Sequence, residues 1–154
     1  MIVQYCDGKV PAPAQYTAVD QELIDLIANV LPQIELELGQ FALHKAIALL
    51  WSVIEATNKY VVITEPWGIA RQLRGQPDDG NLQQRFATTL FVLAEALHLI
   101  AELLRPFVPS TASTILKQLG LPETGAWSGS LGWSKRLVGV QVTRDGILFP
   151  KLTS

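Results

Sequence analysis

Cysteine is nearly missing: Cys6 is the only one in 154 residues. One thiol excludes an internal disulfide and a cysteine-based zinc site. A reducing cytoplasm is the simplest compartment for such a chain. Charge is scarce as well. Charged residues make up 17% of the sequence against 49% hydrophobic, which excludes a disordered polypeptide. The formal net charge is −2, whereas a protein that grips many phosphates is normally basic. Any RNA recognition must therefore be local and helped by other parts of a larger protein. The N-terminus lacks the basic start and cleavable apolar segment of a signal peptide. The most apolar stretch, 86–104, has Arg85 at its edge and Glu95, His98 and Glu102 inside. Those charges argue against a membrane span, and the helical period argues for a core helix.

Catalytic motifs are missing too. There is no phosphate-binding Walker loop and no dinucleotide fingerprint. Ser128 and Ser130 sit near glycines, but not in the strained Gly-x-Ser-x-Gly turn of a hydrolase. Glu95-Ala-Leu-His98 has the spacing of a di-iron helix ligand pair. Such a site needs a second copy and two more glutamates, and His44 has Phe41 three residues before it. A buried or edge-packed polar pair accounts better for Glu95 and His98. No catalytic residue and no metal ligand is expected in this chain.

What is there is helix. Leu23, Ile27, Val30, Ile34 and Leu38 repeat at spacings of four and three, with Pro32 expected to bend the helix and Gly39 to end it as a left-handed cap. A second helix is expected over about 41–62, with Leu43, Ile47, Leu50, Ile54 and Val61 on its packing face and Trp51 beside them. The longest runs to about Leu104 from an N-cap at Asp79 or Asn81, with Phe86, Leu90, Leu93, Leu97, Ile100 and Leu104 as its seam. Pro106 and Pro109 break it, and a last helix over 110–119 closes at Gly120. Residues 1–6 read as the last turn of another helix, and 7–13 as a loop.

From Leu121 the character changes. Gly125, Gly129 and Gly132 alternate with Trp127, Trp133 and serines, and 137–142 reads as a short strand. The basic residues Lys135, Arg136, Arg144 and Lys151 face only Asp145 there. The tail reads either as an RNA patch or as cover for the helices or a neighbouring domain.

The chemistry concentrates in Asn58-Lys-Tyr-Val-Val-Ile-Thr-Glu-Pro-Trp-Gly-Ile-Ala-Arg71. A residue before proline avoids the helical region, so a helix should stop at Glu65. Pro66 suits the first position of a new helix, and Trp67 follows in its first turn. Arg71 and Arg74, four and seven residues on, fall near the Trp67 face. An aromatic face flanked by guanidinium groups suits an unpaired base. The other reading is a hydrophobic staple closing the corner, since tryptophan is usually well buried. Asn58 either satisfies backbone groups near the helix end or meets a base edge.

Asn58-Lys59-Tyr60 followed by Glu65-Pro66-Trp67 and Arg71 resembles the anticodon-binding domain of methionyl-tRNA synthetase. Tyr5-Cys6-Asp7-Gly8-Lys9-Val10-Pro11 is similar to that family's loop after its first helix. Leu104-Arg105-Pro106-Phe107-Val108-Pro109 is similar to its bend before the last helix, and Leu148-Phe149-Pro150-Lys151 to its exit segment. The likeness covers nearly the whole chain. It implies an all-α fold, an antiparallel helix bundle of the class I synthetase anticodon-binding type over 1–120, with an irregular tail over 121–154 that returns toward a catalytic domain.

The resemblance assigns Trp67 the stack on a base of the CAU anticodon of methionine tRNA. Pro66, Asn58, Arg71 and Arg74 are the accompanying candidates. The family's two other readers, in an Asn-x-x-x-Arg spacing on the first helix, would precede Met1, so the chain is expected to be a domain of a longer protein. The nucleotide-handling signatures of class I synthetases, of the His-Ile-Gly-His and Lys-Met-Ser-Lys-Ser types, do not occur. ATP and magnesium therefore go with the parent ligase and not with this segment. The expected partners are the tRNA anticodon and the parent's catalytic domain, in the cytoplasm, with neither DNA nor membrane. The alternative is a helical protein-interaction module of the same fold.

Overall fold

The computed structural model describes residues 1–121, 131–134 and 136–145. Six helices follow in order: α1 (Ile2–Tyr5), α2 (Ala18–Gly39), α3 (Leu43–Thr64), α4 (Pro66–Gly75), α5 (Gly80–Leu104) and α6 (Pro109–Gln118). Among the described residues the β character is one isolated antiparallel bridge, Lys9 with Gln141. The strand expected over 137–142 reduces to that bridge, because Gly139 turns the chain at φ +78.

The middle of the molecule is α5. Fourteen of its 25 residues are buried, so it is surrounded rather than amphipathic. Of the two expected caps, Asp79 and Asn81, Asp79 is the one used, its Oδ1 accepting from the amides of Asn81 and Leu82 at 3.0 Å each. Phe91, Val92, Leu99 and Leu103 fill the core together with Ile27 and Ile34 of α2 and Val53 of α3. Each fully buried side chain of this kind contributes roughly 1.5–3 kcal/mol of transfer free energy. Leu97, expected in the seam, is 41% exposed.

Two expectations about α2 and α3 are corrected. Gly39 stays helical, and the left-handed residue is Phe41, at φ +58. The Phe41 amide donates to Leu38 O (3.0 Å) and the Ala42 amide to Glu37 O (2.9 Å). That paired closure sets the reversal two residues past the glycine. On α3 the buried positions are Ala46, Leu50, Val53, Tyr60 and Thr64, while Leu43 and Ile47 lie outside. This helix is apolar on two faces, and periodicity alone does not say which one packs.

The described part of the C-terminal region joins the same core. Leu137 is fully buried, and the Gly139 amide donates to Val10 O while the Val10 amide donates to Val140 O. Gly120 closes α6 at φ +72, and a Cβ there would lie 2.2 Å from Gln141 O. Glu95, on the buried face of α5, accepts from the amide and hydroxyl of Ser134 at 3.1 and 2.9 Å. Its distance to His98 Nδ1 is 3.9 Å. Glu95 thus holds Ser134 against α5, with His98 buried one turn on. Trp133 sets its ring edge-on to Phe91, 6.4 Å between centroids, so it covers α5. Gly125, Trp127, Ser128, Gly129, Ser130, Lys135 and Leu148–Lys151 lie outside the described residues.

Candidate nucleic-acid interface

The helix α3 stops at Glu65, the residue before Pro66, as the sequence predicts, although not in the extended conformation usual before proline. Glu65 ends α3 at φ 40, ψ 59, in the left-handed region. Its amide donates to Val61 O at 3.1 Å, and its own carbonyl accepts from the Gly68 amide at 2.7 Å. Pro66 is buried at the first position of α4. α4 is anchored from below by Ala70, which packs with Phe86 and Leu90 of α5.

Trp67 stands at this corner with 49% of its surface exposed. About half of the ring is thus covered at the corner and half is open. Arg71 is exposed one turn further on. Asn58 is exposed too, in the last two turns of α3, six residues before its end at Thr64. Val62 and Ile63 add exposed apolar surface just before the corner.

Arg74 goes elsewhere. Its Nη2 donates to the Tyr5 hydroxyl at 2.6 Å, and the guanidinium carbon lies 5.8 Å from the Tyr5 ring centre. Tyr5 in turn meets Phe86 edge-on. The helical spacing from Trp67 to Arg74 holds, yet α1 brings Arg74 a partner from 69 residues away.

Behind the exposed face lies a buried ionic junction. Asp20, in the first turn of α2, is fully buried. Its Oδ2 accepts from the Thr17 amide (2.6 Å), the Thr17 hydroxyl (2.8 Å) and Arg85 Nη1 (2.6 Å). Its Oδ1 accepts from the Tyr60 hydroxyl at 2.5 Å. Burial pushes the Asp20 carboxyl up, but the bonds from Arg85, Tyr60 and Thr17 outweigh it and hold the group below the usual carboxylate range. Burial and the Asp20 charge together raise Tyr60, keeping its hydroxyl a donor. Burial disfavours charge on Arg85, and Asp20 more than offsets it. Tyr60 O accepts from Thr64 Oγ1 at 2.8 Å, one residue before the corner. The local half of this junction is legible as a Thr-x-x-Asp capping spacing. Its long-range half, Tyr60 and Arg85, left no local signal.

A half-exposed indole with an exposed guanidinium one turn on can stack a flat ring and neutralise a phosphate, and the exposed amide of Asn58, on α3 about two turns before the corner, can meet a polar edge. Among the described residues no group of three metal-ligating side chains occurs.

Comparison with known proteins shows the family and the fold. A family model described as the anticodon binding domain of methionyl tRNA ligase matches residues 10–154. A methionine–tRNA ligase of Caldanaerobacter subterraneus subsp. tengcongensis is 32% identical over 152 residues, covering 99% of this chain and 23% of that protein. One of Listeria monocytogenes is 35% identical over 156 residues, covering 99% and 22%. The apo crystal structure of Mycobacterium tuberculosis methionyl-tRNA synthetase is similar at a TM-score of 0.84 and 26% identity, over 100% of this chain and 30% of that one. The same enzyme bound by methionyl-adenylate gives 0.85 and 26%, over 97% and 28%. The chain thus spans less than a quarter of the length of the two ligases.

Proposed function

The chain belongs to the family of anticodon-binding domains of methionyl-tRNA ligase, and we propose that it selects methionine tRNA by stacking an unpaired anticodon base on Trp67. The observation that carries this reading is the half-exposed indole at a corner held by a buried proline. Moving a base from the anticodon loop onto an aromatic face is worth on the order of 1–3 kcal/mol. Asn58 would add hydrogen bonds to a base edge, where a wrong partner leaves polar groups unpaired. Arg71 would neutralise a backbone phosphate. Arg74, held by Tyr5, contributes positive potential beside it.

The parent ligase would join methionine to its tRNA in the cytoplasm, using ATP and magnesium at a catalytic domain outside this segment. The net charge of −2 suits a domain that supplies selection while other parts of the parent supply phosphate affinity. The test is a titration at low salt of methionine-tRNA stem-loops carrying CAU or a scrambled anticodon. Selective binding of CAU, kept by Trp67→Phe, is expected. Equal affinity for both loops would contradict the reading.

A further inference from the structure

The junction behind the corner carries an inference that rests on the reading above and goes one step deeper. Asp20 joins three helices that are far apart in sequence. It belongs to α2, Tyr60 to α3 forty residues on, and Arg85 to α5 sixty-five residues on. Thr17 ties it to the loop before α2 through two further bonds. All three helices could pack without it, because the apolar core runs past them. What the junction adds is a fixed rotation of the end of α3 about its own axis. An apolar interface tolerates small rotations, whereas a buried carboxylate with four donors does not.

That rotation matters because the outer side of the same segment carries the candidate readers. Asn58 is two residues before Tyr60 and exposed, whereas Tyr60 is 2% exposed. Thr64 bonds back to Tyr60 O, Glu65 bonds back to Val61 O, and Pro66-Trp67 follows without an intervening loop. Glu65 links the two helices at the corner: its amide bonds back to Val61 O, and its carbonyl accepts from the amides of Gly68 and Ile69, one and two residues past Trp67. Turning Tyr60 on its bond to Asp20 turns Trp67 with it. The other restraints on α4 are the apolar packing of Ala70 on Phe86 and Leu90 and the bond from Arg74 to Tyr5, seven residues past Trp67.

We infer that Asp20, Tyr60 and Arg85 are positioning residues for base stacking, fixing where the Trp67 ring stands without touching the RNA. Tyr60→Phe is the sharpest probe, since it keeps the ring and removes one donor. Two readouts separate the inference from a merely structural role. The first needs no RNA: the Trp67 indole N–H resonance in a ¹⁵N spectrum, assigned with Trp67→Phe. It should shift or broaden in Tyr60→Phe while the Trp51 indole resonance stays in place. The second is affinity for the CAU stem-loop well below the melting temperature. Affinity should fall about fivefold, a partial loss of the stack on Trp67. In a Trp67→Ala background Tyr60→Phe should cost almost nothing further. Asp20→Glu combined with Tyr60→Phe should not restore either readout.

An unmoved Trp67 resonance in a less stable Tyr60→Phe protein would overturn the inference. So would additive losses of affinity in the double variant. If wild type binds no stem-loop, the stacking reading fails, and the indole resonance still decides whether the junction positions Trp67.

Discussion

The hydroxyl of Tyr60 lies 2.5 Å from Oδ1 of Asp20, across the interface of two helices and inside the protein. Arg85 reaches the other oxygen of the same carboxylate at 2.6 Å. One buried charge therefore sits at the meeting point of α2, α3 and α5, bonded to Tyr60 on the side of α3 away from the exposed Asn58.

Removing that charge should be costly. Asp20→Asn keeps the shape but cannot accept four hydrogen bonds, and it leaves Arg85 without its counter-ion. We expect a loss of about 2–4 kcal/mol, the lower part of the range reflecting the partial exposure of Arg85. Urea unfolding followed by circular dichroism measures it.

Asp20 also sets an acid limit. Its folded-state pKa lies below the ordinary value of 3.8. The unfolded chain therefore takes up this proton first as pH falls. The stabilisation is fully present above about pH 4 and is lost as pH falls through the folded value. Wild type minus Asp20→Asn stability should be flat from pH 7 to about 5 and shrink below about pH 4. Thermal melts across that range give the difference.

The two arginines of α4 should behave differently. Arg71→Ala should leave stability unchanged and reduce the salt slope of stem-loop binding by about 0.7. Arg74→Ala removes the bond and the cation–π contact to Tyr5, and should lower stability by about 0.5–1 kcal/mol. Affinity titrations at several salt concentrations, paired with melts, separate them.

Gly120 should resist substitution. At φ +72 an alanine is strained, and its Cβ would meet the backbone oxygen of Gln141 at 2.2 Å. Gly120→Ala should cost about 2–3 kcal/mol. Hydrogen exchange should show faster exchange at the amide of Thr143, which donates to Gln118 O.

Much of this fold was legible because its signals are local. Alternating spacings marked α2 and α5, Asp79 marked a start, and Glu65-Pro66 marked the corner within a residue. The exposure of Trp67 did not follow from the sequence, which allowed either an open ring or a buried staple; it depends on what the rest of the fold brings against the corner. Three features escaped for one shared reason, which is that their partners come from far along the chain. Arg74 turned to Tyr5, Asp20 to Tyr60 and Arg85, and the face of α3 that packs was chosen by α2 and α5 rather than by its own period. Gly39 was misread for a local reason: the helix closed on Phe41 through two backbone bonds that its sequence does not advertise.

The most direct test of stacking removes the base instead of the ring. A CAU stem-loop with an abasic site at each anticodon position in turn is titrated against wild type and Trp67→Ala. At one position the abasic loop should bind wild type more weakly by about 1–3 kcal/mol. Against Trp67→Ala the same change should cost almost nothing, because ring and base act as one contact. Equal losses against both proteins at every position would contradict a stack on Trp67.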